Sequence, residues 1–192
     1  TMMFFKIGAN RDVVYTNYMV LSVDTKAPRY DIPPNADTPS GREKHYCSCS
    51  EKADSVCFTA PFYFAVKVQN WGDDISTDVT IQDKLSSKVT YVPGTTEICK
   101  EWKEPNVCSK WIKIEDKDGN FPLSEPYTLT DVLMYCDPVT MECPETIMVR
   151  FKVLPKDNLQ KHDVIENTAL INDSTGKVYK TNTSIPLRLV SG

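Results

Sequence analysis

Thr146-Ile147-Met148-Val149-Arg150-Phe151-Lys152-Val153-Leu154 alternates apolar and charged side chains over Val149, Arg150, Phe151, Lys152 and Val153. A period of two places every second residue on one face of a strand, whereas a helix would scatter these residues around its circumference. Val, Ile and Phe also suit a pleated, half-buried surface better than a helix. This segment is therefore a strand with one face against a core, and the fold is read outward from it.

Similar patterns recur on both sides. Upstream, Phe62 to Asn70 reads as a strand that stops at the turn Trp71-Gly72-Asp73-Asp74. Asp78 to Leu85 and Lys88 to Val92 alternate, and Pro93-Gly94 closes the second. Thr95 to Cys99 and Ser109 to Ile114 read as short strands joined by a polar turn. Downstream, Val164 to Ile171 and Lys177 to Leu189 flank the loop Asn172-Asp173-Ser174-Thr175-Gly176. Near the start, Val13 to Val23 is rich in β-branched and aromatic residues. Tyr127 to Tyr135 is the one stretch read as a short helix. Short strands at even spacing with polar turns predict an all-β fold, an immunoglobulin-like antiparallel sandwich with a Pro-rich insertion and disulfides.

The expected organisation has three parts. Residues 1–26 form an N-terminal strand segment, 27–60 a Pro- and Cys-rich excursion, and 61–192 the sandwich. Prolines 28, 33, 34 and 39 keep the excursion from continuing a ladder. Met2-Met3-Phe4-Phe5 opens the chain with an apolar cluster that is costly to leave in water at roughly 25 cal/mol per Å². The N-terminal segment has two readings: a strand in its own sheet, or a donor strand completing a neighbour's sheet.

Five segments in order resemble a family of surface-repeat domains of unassigned function in bacteria and archaea. They are Phe64 to Gly72, Asp78 to Leu85, Val89 to Thr96, Val149 to Val153 and Ile165 to Ile171, within residues 62–189. The resemblance implies an immunoglobulin-like sandwich serving as stalk, spacer or adhesive module. Some related domains carry an isopeptide bond between Lys and Asn beside a carboxylate, and Lys26, Asp83 and Asn167 match those roles. Lys26 adjoins Ala27-Pro28 in an exposed stretch, which argues against a dry triad there. The cysteines and the long Pro-rich insertion depart from the family pattern. Beside the resemblance stands a plain structural reading, with Asn70 capping a strand end, Asp83 tying a turn and Asn167 closing a gap between sheets.

Composition limits the function. The chain has 192 residues, 41% hydrophobic and 25% charged, and a net charge of −4, so it has no basic surplus for nucleic acid. No run is apolar and long enough to span a bilayer as a helix. Seven cysteines in a chain of this size point to export and cross-linking. The absence of a basic-then-apolar leader before Thr1 fits a removed signal peptide or a piece of a longer protein. Cys99 with Cys108 and Cys136 with Cys143 flank short polar loops and are expected to pair. Cys47-Ser48-Cys49 lies near Cys57, where Cys49 or Cys47 pairs with Cys57. The expected disulfides thus include Cys49 with Cys57, leaving Cys47 free or joined to another copy.

Catalytic chemistry finds no carrier. His45 and His162 sit in polar stretches, and the sequence contains neither a nucleophile elbow nor a phosphate loop. His45, Cys47, Cys49 and Cys57 have zinc-ligand types, but Cys-x-Cys is shorter than a zinc knuckle. Asp116-Lys117-Asp118-Gly119-Asn120 lacks the closing Glu of a calcium loop and reads as a turn. Neither cofactor nor metal is expected. Trp71 and Trp102 in turns, with Met3, Phe4 and Phe5, are the candidate partner contacts, and Trp111 is read as core. Asn172-Asp173-Ser174 and Asn182-Thr183-Ser184 are glycosylation sequons by rule. The sequence thus predicts a non-enzymatic, extracellular structural module, a filament subunit or stalk or adhesin domain at the cell surface. Its partners are other copies or surface proteins. The alternative is a recognition module binding glycan or protein through exposed loops.

Overall fold

A computed structural model describes residues 43–46, 55–57, 60–103, 107–130, 132–137, 139–140, 142–143, 145–160, 163–180 and 187–190, with the backbone alone for 43–46, 55–57, 102–103, 107 and 187–190. Among these residues every regular element is a strand.

The alternating segment forms β11 (Ile147–Pro155). It pairs antiparallel along its length with β3 (Phe62–Val68), Phe151 opposite Phe64. The strands β1 (Glu43–Tyr46), β2 (Ser55–Cys57), β4 (Thr80–Asp83), β5 (Val89–Tyr91) and β6 (Glu97–Cys99) precede it. So do β7 (Trp102–Lys103), β8 (Val107–Cys108), β9 (Ile112–Lys113) and β10 (Tyr127–Thr128). After it come β12 (Val164–Ile165), β13 (Ala169–Asn172), β14 (Val178–Lys180) and β15 (Leu187–Val190). The larger sheet runs β1-β3-β11-β6-β9, with β5 also on β11, and the second runs β10-β4-β13-β14. A three-stranded sheet, β12-β15-β2, holds a parallel pair, β15 with β2.

β5 and β6 share one edge of β11 because the turn between them is tight. β5 takes Val153 to Pro155 and β6 takes Met148 to Arg150. Gly94 supplies the positive φ of 70° that this turn requires. Between the two pairings the ladder is continued by Val92 N to Lys152 O at 3.0 Å and by Lys152 N to Thr95 Oγ1 at 3.0 Å.

Both sheets feed one core. Phe62, Phe64, Val66 and Val68 of β3 and Val149, Phe151 and Val153 of β11 meet Ile81 of β4 and Ala169 and Ile171 of β13 in a single buried cluster. That is a sandwich, antiparallel and immunoglobulin-like, as the alternation predicts. Phe121 fills its open end, packing edge-on to Phe151 at 4.7 Å and tilted against Tyr91 at 4.9 Å. Burying each such ring stabilises by about 1.5–3 kcal/mol.

Four expectations on chain course differ from the structure. Glu43–Tyr46 lies inside the Pro-rich excursion yet pairs with Tyr63 to Val66 as a ladder strand. The turn expected between Cys99 and Ser109 carries its own hairpin, β7 with β8. Val164 to Ile171 is broken into two strands of different sheets at Glu166-Asn167-Thr168. Tyr127 to Tyr135 forms no helix. It begins as β10 on β4 and continues through a bridge between Leu133 and Ser76. Its Leu129 and Leu133, four apart, imitate a helical stripe but point into the core from an extended chain. Among the described residues, no helix is long and apolar enough to cross a membrane.

Candidate functional site

Among the described residues, a buried acid and amide meet at the end of β4. Asp83 is fully buried and Asn167 almost so. They meet because β4 and β13 pair with Asp83 opposite Ala169, which brings the Asn167 side chain alongside. Asn167 Nδ2 donates to Asp83 Oδ2 at 2.7 Å, and the Asp83 backbone N–H donates to Leu123 O at 2.7 Å. Asp83 Oδ1 has no hydrogen-bond partner among the described residues. Burial pushes the Asp83 carboxyl up to about 7, a rise that the Asn167 hydrogen bond only partly opposes. Burial thus favours the protonated form of this carboxyl.

Asp83 thus accepts from Asn167, which sits at the break between β12 and β13, two strands of different sheets. Of the three residues matched to an isopeptide triad, two are brought together. Lys26 lies outside the described residues. The cap at Asn70 has the expected form, its Oδ1 accepting from Gly72 N at 3.0 Å while Nδ2 donates to Asp74 O at 2.7 Å and Leu133 O at 3.2 Å.

Two disulfides close polar loops, Cys99–Cys108 and Cys136–Cys143, with Cα separations of 6.1 and 4.2 Å. The first folds the β7–β8 hairpin over the outer face of the large sheet, where Ala65, Cys99 and Met148 are buried beneath Cys108 and Trp111. Trp111 therefore does not belong to the main core. Its ring stacks under the Arg150 guanidinium at 3.7 Å, with Tyr63 on the same cation at 4.9 Å and Glu97 paired to it at 2.7 Å. Cys47 and Cys49 lie outside the described residues, and so does the Cys57 side chain, whose backbone forms the end of β2.

The candidate contact residues are scattered. Trp71 is half-buried, with an indole N–H that has no partner among the described residues. Trp102 begins β7, but its side chain is not among those described, and Met3, Phe4 and Phe5 lie outside the described residues. Asp116, read as part of a turn, spends both oxygens on that role. Oδ1 accepts from Tyr91 Oη at 2.7 Å and Oδ2 from Gly94 N at 2.6 Å. Among the described residues, no group of His, Cys, Asp and Glu is placed to hold a metal.

Sequence reasoning missed the exposed apolar side chains around the second disulfide. Ile75, Val132, Met134 and Tyr135 are each 41–48% exposed, and Val139 is 87% exposed. Reading Tyr127 to Tyr135 as a helix hid them. The signal was available as an apolar run without Lys or Pro, the mark of an unguarded strand.

No protein-family profile matches this sequence. No curated protein matches it either. Several solved structures do. BcpA, the major pilin subunit of Bacillus cereus, aligns at 11% identity and a TM-score of 0.45, covering 78% of this chain and 39% of the pilin. ACE19, the collagen-binding subdomain of the Enterococcus faecalis surface protein ACE, aligns at 14% identity and a TM-score of 0.44, covering 80% of this chain and 99% of that one. The collagen-binding domain of a Staphylococcus aureus adhesin aligns at 12% and 0.39, over 76% and 98%. At such values they decide neither family nor ligand. The likeness to the surface-repeat family therefore rests on the five sequence segments.

Proposed function

We propose that this chain is a non-catalytic structural module of an extracellular surface, a filament subunit or a stalk or adhesin domain that associates with copies of itself or with other surface proteins. One observation carries the reading: a disulfide-closed sandwich leaves Ile75, Val132, Met134, Tyr135 and Val139 in water at one end. Large apolar side chains exposed together mark an association surface, since scattered single ones are the norm on a monomer. The polar groups that could carry chemistry are spent on architecture, Asn70 on a cap and Asp116 on a turn. Cross-links on short loops suit an oxidising compartment.

Electron microscopy and sedimentation of the purified chain at near-physiological salt test this. Filaments or ordered oligomers are expected, and a strict monomer at millimolar concentration contradicts it. A second reading is a recognition module binding protein or glycan through loops, favoured by the exposure of Val139 within the Cys136–Cys143 loop. A monomer that binds a ligand saturably would select that reading.

A further inference from the structure

The second sheet ends at β10, and the chain beyond it keeps to the same side. Leu129 N donates to Val79 O at 2.7 Å, Leu133 and Ser76 exchange bonds at 2.8 and 3.0 Å, and Cys136 N reaches Asn70 O at 2.6 Å. Residues 127–130 and 132–136 therefore line one edge, and among the described residues no strand pairs with its outer side. Leu129 and Leu133 turn inward and are buried, while Val132, Met134 and Tyr135 stay in water. One step along the antiparallel bridge sets Ile75 opposite Met134 on the exposed face of this ribbon.

Proteins blunt such edges with Lys, Pro or a covering loop, because an unpaired strand templates another. Tyr127 to Cys136 contains no Lys or Pro, and its one charged residue is Asp131. On this edge Met134 N donates to Glu145 Oε2 at 2.7 Å. The surroundings are acidic: Asp73, Asp74, Asp137 and Glu142 are exposed beside the apolar side chains. Lys100 reaches this edge, its Nζ donating to Thr130 Oγ1 at 3.3 Å. A strand added here would be apolar with basic residues to meet those carboxylates.

The chain contains a segment of that chemistry. Met2-Met3-Phe4-Phe5-Lys6-Ile7 is apolar except for Lys6, and Arg11 follows. Nine residues from Met2 to Asn10 would span about 30 Å as a strand, the length of the edge from Tyr127 to Tyr135. We propose that Met2–Asn10 of a second copy adds as a strand along the Tyr127–Tyr135 edge, burying either Phe4 or the pair Met3 and Phe5 against Val132 and Met134. This deepens, and rests on, the reading of the chain as a self-associating surface module. A heterologous contact of this kind does not close on itself and so propagates.

A photo-cross-linking residue at Phe4 in the full chain, with heavy-isotope and light copies mixed, tests the proposal. Cross-linked peptides of mixed isotope that map to residues 132–139 are expected. Met134→Lys, on an exposed side chain, should lower their yield about tenfold, and so should Lys6→Glu with Arg11→Glu, each with an unchanged near-UV circular dichroism spectrum. Cross-links confined to same-isotope peptides overturn the proposal, because the segment then lies in its own sheet. Mixed cross-links on another face also overturn it, but leave self-association standing. A monomer with no mixed cross-links at millimolar concentration overturns both.

Discussion

Asn167 donates its side-chain amide to Asp83 at 2.7 Å, inside a sheet where Asp83 is fully buried and Asn167 nearly so. A carboxyl in that position costs the fold more when charged than when protonated. In the unfolded chain it titrates at 3.8, and in the fold burial raises it to about 7. The folded state thus binds more protons over that window. Stability contributed by this group is full below pH 4 and falls as pH rises to about 7.

Asp83→Asn removes the titration and keeps the shape, with an amide oxygen still available to Asn167. At pH 8 it should stabilise the fold by up to about 4 kcal/mol, the worth of the pKa rise. At pH 3 the two proteins should differ little. Thermal melts of both across this range check it, and parallel curves would contradict the assignment.

The disulfides give a second prediction. Non-reduced peptide mapping should recover Cys99 joined to Cys108 and Cys136 joined to Cys143, uncrossed. Replacing either pair with serine should cost roughly 2–3 kcal/mol in urea unfolding. Free thiols at these four positions would contradict the fold around them.

Arg150 is held by three groups at once: Trp111 under its guanidinium, Tyr63 beside it and Glu97 as its ion partner. Arg150→Lys keeps the charge but loses the flat stack, and should cost about 1 kcal/mol. A double-mutant cycle with Trp111→Ala should show coupling of similar size. Strict additivity would mean that the stack contributes nothing.

Most of the sandwich was legible in the sequence, for a physical reason. β11 and β3 each turn one face to the main core, so Val149, Phe151 and Val153, like Phe62, Phe64 and Val66, announce themselves at a period of two. Lys67 defeats that logic. By alternation it belongs outside, yet it is 3% exposed on the outer face of a sheet that the Cys99–Trp111 hairpin partly covers. Nothing local encodes that cover. Glu43–Tyr46 reads as loop because its side chains are polar, and it is a strand because β3 offers it an edge. Asp83 with Asn167 was legible only as a likeness, since their 84-residue separation is closed by the pairing of β4 with β13 alone. The apolar edge stayed hidden because the four-residue spacing of Leu129 and Leu133 fits a helix as well as a strand, where residues four apart also share a face.

The central claim is that this sandwich associates through the apolar end bearing Val132, Met134 and Tyr135. Sedimentation velocity of the intact chain and of Met134→Lys, over a wide concentration range at near-physiological salt, measures it most directly. The account predicts concentration-dependent oligomers for the parent chain and a shift of at least about tenfold to higher concentration for the variant, with an unchanged near-UV circular dichroism spectrum. A monomer throughout, or assembly identical in both, would contradict it.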